Sequence, residues 1–448
     1  MKTYLTKYSV NGIKSIDQEI TLSFYKKTIT KPIDIKDYNV KAIYGMNGSG
    51  KSAIIKSVDI LKNILLDSKY LNNPIMQKEL EESINKKNGQ LDIIIEFILE
   101  NENSLKLFQY YISITKDLTG HFVISNETLK QKNATSRQRN FEIVYDIKNG
   151  EIEKINQDKS NFYKIVIDKT KNLLNDSTLC SVCYNNWKNN IFPKDKMNCS
   201  LNQNIYTLLY FANNISVYFA QEDIHANYFI NKYYPVYEEQ GLSKTDFLTY
   251  IKNNVEGHYL RSNQVMVPKK IYKYYQKEVK QLQDFIKIFK NDLEEIVIDR
   301  KEDENFYICN LVMKYNDYNI SAEFESTGIK KLIRLFVYLK DMVSGGIVFI
   351  DELDSNLHDV YLCALLEYLM NYGEGQLCFT THNIGPMDVL KQNKQSIEFL
   401  SMNHKIYSWK KNGHYLPSKL YKEGMIEGSP FNIDAIDFIG IIDSNEEE

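Results

Sequence analysis

No stretch of the chain approaches the roughly 20 consecutive apolar residues that crossing a bilayer requires, and its start, Met1-Lys2-Thr3-Tyr4-Leu5-Thr6-Lys7, lacks the apolar core of a secretion signal. A cytoplasmic protein with no membrane partner is expected. An excess of one charge is missing as well. The 448 residues carry a net charge of −3 with a pI near 6.2, so there is no global electrostatic footprint for nucleic acid and any such contact must be local. Six scattered cysteines in a chain of this length suit a reducing compartment rather than a disulfide framework. Internal repeats and extended low-complexity linkers are absent. The longest heptad-like run, Ile271, Tyr275, Val279, Leu282, Ile286, Phe289 and Leu293, covers about three heptads, enough for a core helix or a short hairpin but not for a long coiled-coil arm. Fewer than a hundred residues follow Glu352. A fused nuclease domain of ordinary size, roughly 100 residues or more, would not fit there, so any nuclease or toxin activity is expected from another polypeptide.

What is present begins with a strand-like run, Val40 to Tyr44, followed by Gly45-Met46-Asn47-Gly48-Ser49-Gly50-Lys51-Ser52 and a helix-like run to Leu66. The small residues let backbone N–H groups turn inward around phosphate oxygens, Lys51 reaches the β and γ phosphates, and the Ser52 hydroxyl joins a Mg²⁺ shell. Ile54, Ile55, Val58, Leu61 and Leu65 give the helix its apolar face. Far downstream, Ile347-Val348-Phe349-Ile350 reads as a short buried strand running into Asp351-Glu352-Leu353-Asp354. There Asp351 would hold Mg²⁺ and Glu352 would polarise the attacking water. Before this pair, Glu325-Ser326-Thr327-Gly328-Ile329-Lys330-Lys331 leads into a helical run, a second anion-binding helix start. After it, the strand Gln376 to Phe379 ends in Thr380-Thr381-His382-Asn383, where His382 would sense a γ-phosphate.

In this order the set resembles the ATP-binding-cassette branch of ATPases. Within that branch it is similar to the soluble SMC, RecF and OLD-type heads, and most of all to the stand-alone AAA family ATPases of bacterial anti-phage systems such as Septu, PARIS and AbiL. Val10-Asn11-Gly12-Ile13-Lys14-Ser15 with the following run Ile20 to Phe24 resembles their N-terminal pattern, and Ile426-Glu427-Gly428-Ser429-Pro430-Phe431-Asn432 their C-terminal one. The signature turn, Ser-Thr-Gly-Ile-Lys-Lys, departs from the Ser-Gly-Gly-Gln form of transporters and argues against a transporter. No glutamine is placed at the usual metal-contacting loop, since Gln109 and Gln221 both lie near strand-like runs.

The resemblance implies an α/β P-loop NTPase of ABC-ATPase head type with an antiparallel β arm and a helical insertion. It implies ATP and Mg²⁺ as ligands and a homodimer or larger even-numbered oligomer. One copy would grip MgATP with Gly45, Asn47, Gly48, Ser49, Gly50, Lys51, Ser52 and Asp351, Glu352 and His382 acting on the γ-phosphate side. The facing copy would offer Ser326 and Gly328, while Asp354 sets the water and the interface. The function implied is an ATPase sensor and scaffold of a two-component abortive-infection system. It would control a separate nuclease or Toprim-like effector and respond to a nucleic acid or phage-protein trigger. A RecF- or SMC-like repair ATPase that binds DNA directly is the alternative.

Along the chain, residues 1–156 are expected to form an N-terminal ATPase lobe with the β arm, signalled by Leu91 to Ile98, Phe108 to Ile114, Phe122 to Ser125 and Ile143 to Tyr145. Residues 157–293 are expected to be a helical insertion, and 294–448 the C-terminal lobe. Cys180 and Cys183 have zinc-hook spacing but supply only half a tetrahedral site, which favours two ordinary thiols. The basic loop 130–139 and the lysines of 269–280 read as solvated faces rather than nucleic-acid surfaces.

Overall fold

A computed structural model describes residues 2–25, 29, 35–101, 104–134, 140–157, 161–192, 199–219, 259–393, 395–410 and 415–429. Three sheets organise them. The first is antiparallel and seven-stranded. It contains β1 (Lys2–Asn11), β2 (Ile20–Ser23), β4 (Gln90–Asn101), β5 (Ser104–Lys116), β6 (Phe122–Asn133), β7 (Glu142–Lys148) and β8 (Glu151–Ile155), in the order β2-β1-β4-β5-β6-β7-β8. This is the expected β arm, continuous with the N-terminal pair.

The second sheet positions the site. β3 (Val40–Tyr44), β9 (Ile215–Tyr218), β14 (Ile347–Ile350), β15 (Gln376–Thr380) and β16 (Ile397–Leu400) run parallel, with β17 (Ile406–Ser408) antiparallel at one edge, in the order β17-β16-β3-β15-β14-β9. Strands β3, β14, β15 and β16 are buried at every position; β14 is accordingly wholly apolar, while β3 and β16 bury Lys41 and Glu398 as a pair. Alternate residues face two cores. Ile43, Phe349 and Cys378 pack with Ile54, Val58 and Leu61 of the helix Lys51–Leu66, beneath the antiparallel sheet. Ala42, Tyr44, Val348, Ile350 and Phe379 pack on the other face with Leu362, Leu366 and Leu369 of the helix Asp359–Tyr372. The two sheets are also tied directly, since Gln376 accepts from Leu5 N (2.7 Å) and donates to Leu5 O (2.9 Å).

The third sheet was not foreseen. β10 (Val265–Pro268), β11 (Leu293–Glu302), β12 (Phe306–Tyr315) and β13 (Asn319–Ser321) form a small antiparallel layer under the helix Tyr272–Phe289. That helix falls where the heptad-like run predicts it, burying Tyr275, Val279, Leu282 and Ile286. The helix Thr327–Val343 joins this layer to the parallel sheet, with Leu332, Ile333 and Val337 in one core and Leu335, Leu339 and Met342 in the other.

The segment 157–293 is therefore not a purely helical insertion. Its helices Leu179–Lys188 and Ser200–Asn213 pack on the helix Lys51–Leu66, and β9 within it forms an edge of the central sheet beside β14. A four-residue strand directly after a helix carries too little periodicity to be told from it. Cys180 and Cys183 face this same core on the helix Leu179–Lys188, where burial pushes both thiols up. No helix among the described residues is long and apolar enough to cross a membrane.

Candidate ATPase site

Open parallel sheets bind ligands beyond the carboxyl ends of their strands. Here β3 ends in the phosphate loop, β14 in Asp351-Glu352 and β15, which lies between them, in Thr380-Thr381-His382. The loop leads into the helix Lys51–Leu66 through Gly50 at φ +104°, with no side chain capping the first turn. That leaves orphan N–H groups pointed where phosphate oxygens would lie. A Cβ on Gly50 would also press on the Ile16 side chain at 2.9 Å, so the turn after β1 packs directly on the loop. Ser15 Oγ donates to Gly48 O at the long distance of 3.4 Å.

The residues present suit a bound MgATP. Ser49 is buried with its Oγ unpartnered. Lys51 Nζ donates to the loop's own Gly45 O (2.8 Å) and Met46 O (3.0 Å), stand-ins for the phosphate oxygens it would otherwise meet. Burial pushes the Lys51 ammonium down to about 8, against the pull of Asp351, Glu352 and Asp354. Ser52 Oγ donates to Asp351 Oδ1 over 3.0 Å, placing a hydroxyl and a carboxylate side by side as a Mg²⁺ shell requires.

Thr380, to which sequence reasoning gave no role, is the other partner of that carboxylate. Its Oγ1 donates to Asp351 Oδ1 (2.6 Å) and accepts from Glu352 N (2.8 Å). Glu352 itself is exposed and left-handed, at φ +49°. A non-glycine residue held there is strained, and such strain clusters at functional positions. His382 is exposed at the end of β15. Its imidazole is depressed by desolvation and by Lys51, while Asp354, Glu352 and Asp351 pull the other way, so it shares one electrostatic neighbourhood with all four. Asp354 turns one carboxylate oxygen, Oδ1, into a buried position without a partner.

Ser326 and Gly328 lie on a separate element, with Gly328 against the turn that follows Glu352. Ser326 is exposed and Gly328 half-buried at the start of the helix Thr327–Val343, and Ser326 Oγ accepts from Ile329 N at 3.4 Å. Among the described residues no hydrogen bond joins them to the phosphate loop of the same chain, and Ser326 and Thr327 are exposed. Gln109 is removed from consideration as a metal-contacting residue. It sits on β5 in the antiparallel arm and donates to Glu96 Oε1 across the sheet (3.0 Å). Gln221 follows β9 in the chain but lies outside the described residues, as do Pro430, Phe431 and Asn432.

The phosphate loop after β3 and the acidic pair after β14 of a parallel sheet make this a P-loop NTPase fold, and its site resembles those of ABC-like AAA ATPases. Residues 221–388 match the family described as AAA domain, putative AbiEii toxin, Type IV TA system. That stretch takes in the signature turn, Asp351-Glu352 and His382, and leaves the phosphate loop outside it. The chain is similar to the Retron Vc95 probable ATPase of Vibrio cholerae serotype O1 biovar El Tor, at 24% identity over 394 residues, covering 84% of this chain and 71% of the relative. Among solved structures it is similar to the recombination mediator RecF with ATPrS (14% identity, TM-score 0.38) and with ATP (10%, 0.35), each over 91% of this chain and 99% of the other.

Proposed function

We propose that the protein binds and hydrolyses MgATP at this site. The observation that carries the reading is the convergence of the Ser52 and Thr380 hydroxyls on Asp351 Oδ1, with the strained Glu352 next in the chain. The loop from Gly45 to Ser52 holds the phosphates, with Lys51 on the β and γ groups. Ser52 and Asp351 hold Mg²⁺, which neutralises phosphate charge. Glu352 orients and deprotonates the attacking water, and His382 contacts the γ-phosphate.

The site works in pairs of chains, in a homodimer or a larger even-numbered assembly. Ser326 and Gly328 of one copy meet the γ-phosphate held by the other, and Asp354 lies at that junction. Support comes from the exposed helix start. The biological role is that of a sensor and scaffold in a two-component anti-phage system that controls a separate effector, probed by the masses of proteins that copurify from the native operon. Likeness to an AbiEii-type AAA family and to a retron ATPase supports it.

Glu352→Gln tests the site. It should bind ATP with wild-type affinity, lose about 10²–10⁴-fold in turnover, and accumulate as ATP-dependent dimers in light scattering. Turnover at the wild-type rate would remove Glu352 from the base role. DNA-stimulated hydrolysis with binding that falls steeply with salt would instead favour the DNA-repair reading.

A further inference from the structure

Lys331 lies in the helix Thr327–Val343 at a position flanked by buried apolar residues, and it is itself only 3% exposed. Its ammonium does not seek solvent. It donates to Glu352 O (2.6 Å), Leu353 O (3.0 Å) and Ser355 O (2.7 Å), and it also reaches Ser355 Oγ (2.5 Å). Three carbonyl dipoles thus point their negative ends at one place, an arrangement that repels itself unless a cation sits at the focus. The turn so gathered is the one that carries Glu352, and it has left-handed residues at both ends, Glu352 at φ +49° and Asn356 at φ +59°.

The same helix begins with the exposed Ser326. Gly328, one turn before Lys331, lies against this turn, since a Cβ there would stand 3.0 Å from Asn356 O. The helix body is wedged into two cores, so its start and Lys331 move as one rod. From this geometry we infer that Lys331 is a positioning residue coupling the signature helix start to the general base of its own chain: whatever engages Ser326 and Gly328 sets the placement of Glu352. The inference rests on the proposed hydrolytic reading and gives the contact with a second chain's nucleotide a route to the chemistry.

The test compares the full-length wild type with Lys331→Met and Lys331→Arg, reading ATP affinity by equilibrium fluorescence titration and kcat by phosphate release. Lys331→Met should keep wild-type ATP affinity and lose about 10²-fold in kcat, the scale expected when a catalytic group is misplaced by an ångström. Lys331→Arg, which restores the charge, should recover part of that loss. A purely structural lysine would instead lower affinity and kcat together. Wild-type kcat in Lys331→Met, or affinity lost in proportion to kcat, overturns the inference. Should Lys331→Met melt below the assay temperature, Lys331→Gln is read by the same criteria. Wild-type protein that binds ATP without turning it over would sink the proposed hydrolysis itself, whereas wild-type turnover with an unaltered Lys331→Met sinks this inference alone.

Discussion

Replacing Thr380 by valine isolates the hydrogen-bonded node of the site. The substitution keeps the β-branch and the volume that β15 needs, and removes one hydroxyl. That hydroxyl donates to the Asp351 carboxylate over 2.6 Å and accepts from Glu352 N over 2.8 Å. A hydrogen bond to a charged group contributes about 1.5–3 kcal/mol and a neutral one about 0.5–1.5 kcal/mol. The two together constrain Asp351 and Glu352 by about 2–4.5 kcal/mol. If that constraint is realised in the transition state, at about 1.36 kcal/mol per decade, kcat falls by roughly 30- to 2000-fold. Affinity for ATP, which rests on the phosphate loop, should change far less. The assay is phosphate release at saturating ATP alongside equilibrium binding, with Thr380→Ser as the variant that returns the hydroxyl. Wild-type kcat in Thr380→Val would refute the idea that this threonine fixes the two acids.

Two further outcomes can be checked separately. Burial pushes both Lys51 and Lys331 down to about 8 in the free chain, and only the cations bind phosphate or hold the turn; kcat/KM for ATP should therefore be full only well below pH 8 and already be falling through it, whereas a profile flat to about pH 10, the ordinary lysine range, would contradict this. Lys41, in the middle of β3, is paired with Glu398 over 2.7 Å with both side chains almost wholly buried; Lys41→Met should cost about 3–5 kcal/mol by leaving a buried unpaired carboxylate, seen in urea denaturation, and Lys41→Met with Glu398→Leu should recover much of it.

The parts of the molecule legible in the sequence are those whose signal is local. Ile347 to Ile350 announces itself because a strand buried on both faces is apolar at successive positions, and Val40 to Tyr44 is apolar at all but Lys41. The residues that follow them carry chemistry at fixed spacing. Thr380 and Lys331 were not legible, because their roles arise only where separate elements meet. A threonine ending a strand is an ordinary β-former until β15 is placed between β3 and β14. A lysine within a helix reads as a solvated side chain until the Glu352 turn is folded over it. β9 was lost in a segment that reads as helical because four residues, Ile215 to Tyr218, have no period of their own. Gln109 was a candidate because it lies in a strand-like run, and its pairing with Glu96 across the arm is visible only once β4 and β5 are in register.

The charges gathered at the site bear on the proposed pairing of chains. Lys51 is the cation at its centre, and it feels Asp351, Glu352 and Asp354 together. His382, depressed by desolvation and by Lys51, favours its neutral form and adds little positive charge. Lys51 and Lys331 face the same three carboxylates, so the region holds more acids than lysines before any phosphate arrives, and a triphosphate adds more negative charge. The loop's backbone N–H groups and a divalent cation at Ser52 and Asp351 offset part of this. The remainder falls on the γ-phosphate, on the side away from the loop. In the proposed assembly the start of the helix Thr327–Val343 of a second copy meets that side and brings partial positive charge without another acid. Within one copy, Lys331 keeps that helix and the base-bearing turn together. The surface that completes charge compensation for one nucleotide is then the same surface that holds the neighbouring base in place, and closing the pair serves both purposes at once.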